Sequence, residues 1–137
     1  MPSILHAQQI LVNITDLEQD DKDGKKRCNI KYEITNNSTG TIHNLAIEIE
    51  IWDDRGQLVS DDFIGTYFRL YTGKILLGET YSAETYRGMP ETTCEYIERV
   101  KIKQVEERFC NIRMFPEDAS CRDFVKITSS VSQLILD

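Results

Sequence analysis

Apolar and polar positions alternate with a period of two along much of the chain. From Arg27 to Thr35, Cys28, Ile30, Tyr32 and Ile34 fall on one side and Asn29, Lys31, Glu33 and Thr35 on the other. From Ile42 to Trp52 the same rhythm sets Leu45, Ile47, Ile49 and Ile51 inward and Glu48 and Glu50 outward. This is the signature of a strand with one buried face. A first strand with a broken alternation is predicted over Ile4 to Ile14. Another starts at Gly78-Glu79-Thr80 and runs through Tyr81 and Ala83. Tyr96 to Val105 places Tyr96, Val100 and Ile102 on one face and Arg99, Lys101 and Lys103 on the other. Cys110, Ile112 and Met114 form a further strand ended by Pro116, and Phe124 to Leu136 a last one broken at Ser129-Ser130.

Turn chemistry separates these runs. Asp16 to Gly24 reads as an acidic loop, Asn36 to Gly40 as a turn, and Asp53-Asp54-Arg55-Gly56 as a tight turn from which Gln57 to Ser60 returns. Residues 88–95 form a loop, and only 117–123 suits a short turn of helix. Roughly seven to nine short strands at hairpin spacing predict an all-β antiparallel β-sandwich.

Composition narrows the class. The 137 residues, 40% of them apolar, suit one domain spanning 1–137. Sixteen Ile, 6 Val and 11 Thr against 4 Ala favour strands. Sixteen basic against 23 acidic residues give a net charge of −7, which speaks against a basic nucleic-acid binder or a protein held on an anionic membrane surface. No basic n-region and uninterrupted apolar run mark an export signal, and no stretch has the length of a membrane span. A cytoplasmic protein is expected, or an extracytoplasmic one if the chain is a domain of something longer. Residues 1–62 hold 12 acids against 6 bases (−6), and 63–137 hold 11 against 10 (−1). In a sandwich the third strand and the 96–105 strand are expected neighbours, so that Glu48 and Glu50 face the row Arg99, Lys101 and Lys103.

Cys28, Cys94, Cys110 and Cys121 permit three disulfide connectivities, and no C-x-x-C spacing supports a zinc or thioredoxin-type site. Cys28 and Cys110 alternate in step with apolar neighbours, so buried reduced thiols are the expectation.

Arg27 to Arg87 resembles the FxLYD family of immunoglobulin-like bacterial β-sandwich domains. Ile49-Glu50-Ile51-Trp52-Asp53 is similar to the name-giving motif, with aliphatic residues at its first and third positions and Trp for Tyr at its fourth. Gly56 and Leu58-Val59 follow as in the family's D-x-x-G turn. Asn36-Asn37-Ser38 resembles its polar turn, and Leu77-Gly78-Glu79-Thr80 its L-x-P-G-E-T strand start without the Pro. The resemblance implies an immunoglobulin-like sandwich and a non-catalytic extracytoplasmic module.

Candidate chemistry is sparse. His6 and His43 have no nucleophile motif beside them, and no P-loop, nucleophile elbow or H-E-x-x-H is present, so no catalysis and no cofactor are expected. Asp20, Asp21, Asp23, Asp53 and Asp54 would share one end of the sandwich and offer an alternative calcium site, although Lys22, Lys25, Lys26 and Arg55 lie among them. The stronger expectation is a protein-binding surface at 63–71, where Phe63, Tyr67, Phe68, Arg69 and Tyr71 are of the types enriched in interface hot spots, helped by Asp53 and Asp54. The partner is a protein, a second copy of the chain included.

Overall fold

The computed structural model describes residues 9–21, 24–38, 40–61, 65–85, 88–106 and 124–136. Among these described residues eight strands are present: β1 (Gln9–Asp20), β2 (Arg27–Asn37), β3 (Leu45–Asp53), β4 (Phe68–Thr72), β5 (Thr80–Glu84), β6 (Ile97–Val105), β7 (Val125–Ser129) and β8 (Ile135–Leu136). They build two four-stranded sheets, in the orders β5-β2-β1-β7 and β4-β3-β6-β8. The all-β sandwich read from the alternation is therefore the fold. Six of its elements pair antiparallel, but β7 runs parallel to β1, and β8 parallel to β6.

The inward rows fill the space between the sheets. Ile10, Val12, Ile14, Cys28, Ile30 and Ile34 from one sheet meet Ile47, Ile49, Ile51, Phe68, Leu70 and Val100 from the other, all fully buried. Isoleucine suits these sites because its branched Cβ fits the pleat and its χ1 is already restricted.

Two strands depart from strict alternation through bulges. In β1, Ile14 lies opposite Tyr32 and Asp16 opposite Lys31, leaving Thr15 as an extra residue. The phase shifts by one, so Leu17 packs against the core and Asp16 and Glu18 turn outward. This overturns the acidic loop expected from residue 16: the strand continues to Asp20, and Glu18 meets Lys31 at 2.6 Å. In β6, the register skips Glu98 and Lys103, so Ile97, Val100, Ile102 and Val105 all point inward at spacings of three, two and three. Tyr96, expected on that face, lies before the strand in a 3-10 turn (Cys94–Tyr96) and is exposed.

Ile42, expected within the third strand, instead forms a separate bridge to Ile75 and is buried there. The segment after Gly56 returns only as a bridge between Trp52 and Leu58. Asn36 ties the turn together: its buried amide donates to the carbonyls of Gly40 and Ile75, and its carbonyl accepts from the Ser38 amide and hydroxyl.

Cys28 and Cys94 form a disulfide, correcting the expectation of reduced thiols. Cys28 sits on an inward row, as read, yet its neighbour across the gap is the 3-10 turn that leads into the opposite sheet. An alternating apolar row looks the same for a thiol and a half-cystine. The strand expected at Cys110 to Met114, the 117–123 turn and Cys121 lie outside the described residues. Among the described residues, no helix is long and apolar enough to cross a membrane.

Candidate interaction surface

The outer face of the β4-β3-β6 sheet carries three of the seven expected binding residues, Tyr67, Arg69 and Tyr71. Alternation along β4 buries Phe68, Leu70 and Thr72 and turns Arg69 and Tyr71 outward, with Tyr67 preceding them half-buried. Tyr71 is 52% exposed. Phe68 is fully buried, so it is a core residue and not a contact residue: two positions of opposite parity on one strand cannot share a face.

Arg69 is held from three sides. Its Nε meets Glu48 Oε1 at 3.2 Å, its Nη2 meets Glu106 Oε1 at 3.1 Å, and its Nη1 lies 3.4 Å from the Tyr71 hydroxyl. The hydrogen bond to Tyr71, then that to Glu48 and the charge of Glu106, raise the guanidinium's pKa further, keeping it charged. Lys103 reaches across β3 to stand 4.1 Å over the Tyr67 ring, with Arg69 at 6.0 Å from the same centroid. Such cation–π contacts fix an exposed ring with about 0.5–1 kcal/mol.

Glu48 corrects the reading of a solvated row. It is only 2% exposed, covered by Arg69 and by Gln104, whose Nε2 donates to Glu48 Oε2 at 2.7 Å. The β6 bulge causes this: skipping Lys103 places Gln104 opposite Glu48 and leaves Lys103 on the same outer face. β3 and β6 are neighbours as expected, and Glu50 stands opposite Lys101, but Glu48 draws its cation from β4. Gln104 and Glu106 were not singled out in the sequence. Their only signal was the three-residue step from Ile102 to Val105.

The inward side of β4 is fastened too. From the other sheet, the Tyr32 hydroxyl donates to the Tyr71 carbonyl at 2.8 Å and accepts from the Tyr71 amide at 3.0 Å. The Tyr81 ring lies against Gly73, where an added Cβ would stand 3.4 Å from Cε2.

The acidic residues do not converge on this face. Asp53 Oδ1 accepts from the amides of Arg55 and Gln57, so its carboxylate caps the turn that Gly56, at φ 74°, completes. Asp54 is exposed. Tyr71 stands opposite Ala46, seven residues before Asp53, which separates the two by roughly 23 Å along the strand. Asp21 binds Lys26 at 3.1 Å and Gln19 at 2.8 Å, and the Gln19 bond, followed by Lys26, holds its carboxyl below the usual range. Asp20 ends β1 opposite Arg27. Among the described residues, no group of three or more His, Cys, Asp or Glu side chains is placed to hold a metal ion. Phe63 and Asp23 lie outside the described residues.

No family model matches the chain, and neither a curated protein nor a solved structure does.

Proposed function

We propose that this chain is a non-enzymatic, immunoglobulin-like and FxLYD-like module that binds a protein partner through the outer face of the β4-β3-β6 sheet. The observation that carries the reading is the immobilised aromatic pair: Tyr71 projects from the surface while Arg69, tied to Glu48 and Glu106, braces its hydroxyl. Aromatic side chains held rigid lose little entropy on binding, which is what makes Tyr effective at interface centres. Arg69 itself spends its donors within the protein. Its role is to position Tyr71, and direct contact falls to Tyr67, Tyr71 and the cationic rim of Arg99, Lys101 and Lys103. Asp53 and Asp54 sit too far away to share a small interface, and at most extend a large one.

The Cys28–Cys94 bond supports an oxidising, extracytoplasmic location over the cytoplasm, because cytosolic thiols are kept reduced. That agrees with the extracytoplasmic setting that the resemblance implies.

The test is capture from the native host on immobilised wild-type protein and on Tyr71→Ala, followed by calorimetry with the purified captured protein. At least tenfold weaker binding by Tyr71→Ala, with an unchanged melting temperature and persistence in high salt, supports the reading. Equal binding by both proteins defeats it.

A further inference from the structure

We infer that two copies of this chain pair through β5, antiparallel and edge to edge, about a two-fold axis at Ser82. β5 is an outer strand of its sheet. The bonds from Asn36 N to Glu79 O and from Thr85 N to Ile30 O bracket its pairing with β2. In an antiparallel ladder the bonded residues alternate. Tyr81 and Ala83 therefore direct their backbone groups to β2, and Thr80, Ser82 and Glu84 direct theirs outward. These outward amides and carbonyls have no partner among the described residues.

An outer strand normally carries a device against such pairing: proline, lysine, a bulge or a cover. β4 has one, since Tyr32 occupies both backbone groups of Tyr71 and Tyr81 covers Gly73. β7 carries Lys126, and β8 has two residues. β5 has no proline, no lysine and no register shift.

Its sequence also fits itself. With Ser82 on the axis, Thr80 of one copy stands opposite Glu84 of the other, Tyr81 opposite Ala83, and Ser82 opposite Ser82. The single charge meets a hydroxyl, the large ring meets a methyl group, and no like charges oppose each other. The result is one continuous eight-stranded sheet across two copies, with the Tyr67–Tyr71 face left free on both.

Sedimentation equilibrium of the full chain tests this at micromolar concentration, with twice the chain mass of 15.9 kDa expected. Ser82→Lys and Ser82→Glu each place like charges on the axis, and each should weaken association at least tenfold while leaving the melting temperature unchanged at concentrations low enough that all the proteins are monomers. Mixing the two variants should restore the dimer. Ser82→Cys should cross-link on oxidation, because bonded antiparallel partners lie about 5.5 Å apart at Cα, within disulfide reach. Thr80→Cys should not. A monomeric wild type overturns the inference, as does a dimer that survives both charged variants or a Ser82→Cys protein that fails to cross-link. Capture of a partner through Tyr71 is read separately, since Ser82→Lys leaves that face intact.

Discussion

The hydroxyl of Tyr32 replaces a strand for Tyr71, accepting from its amide and donating to its carbonyl across the gap between the sheets. A buried phenol from one sheet thereby completes the hydrogen bonding of an edge residue in the other.

Tyr32→Phe removes both bonds and should cost about 1–2 kcal/mol, read by urea denaturation. A pH dependence follows as well. Burial pushes the Tyr32 phenol up to about 12, against about 10 in the unfolded chain. The folded state therefore holds this proton more tightly. Its contribution is complete below pH 10 and is lost as pH rises through 12, at up to about 1.4 kcal/mol per pH unit. Subtracting the Tyr32→Phe profile isolates it from other groups that titrate there, and parallel profiles would refute the assignment.

Arg69 stabilises by neutralising a carboxylate that water hardly reaches. Arg69→Met should destabilise by about 2–4 kcal/mol, because Glu48 remains buried without its cation. Adding Glu48→Gln should recover more than half of the loss. Chemical denaturation of the single and double variants measures both steps, and an additive double variant would mean that the pair is not coupled.

Parity along β4 separates core from surface. Phe68→Ala should cost about 3–5 kcal/mol, whereas Tyr71→Ala should change stability by less than about 1 kcal/mol. Similar melting temperatures for the two variants would contradict the burial pattern of the strand.

The Cys28–Cys94 bond closes a sequence separation of 66 residues. Loop entropy assigns such a closure about 4 kcal/mol. Tris(2-carboxyethyl)phosphine should lower the melting temperature of wild type by more than that of a Cys28→Ala/Cys94→Ala variant, and equal shifts would contradict the assignment.

What was readable in advance follows from where the period of two holds. The rows Cys28–Ile34 and Leu45–Ile51 obey it without interruption, and both line the core. Past Thr15 the phase shifts at a bulge, and Asp16, Glu18 and Asp20 then imitate a loop, since aspartate also favours turns. The burial of Glu48 depends on side chains from β4, β6 and the residue after it, which no local pattern along β3 encodes. The distribution of charge changes accordingly. Part of the acidity of the first half is matched in place, Glu18 by Lys31, Asp21 by Lys26 and Glu48 by Arg69.

The parallel pairing of β1 with β7 has a mechanical consequence. These strands run side by side from Ile10 and Val125 to Ile14 and Ser129. Tension entering before β1 and leaving after β7 pulls them past each other lengthwise, so the bonds between them carry the load together and must rupture at once. An antiparallel pair loaded from one end would instead peel open bond by bond. The order of the strands thus sets these bonds in shear, and not in peeling, under a lengthwise load.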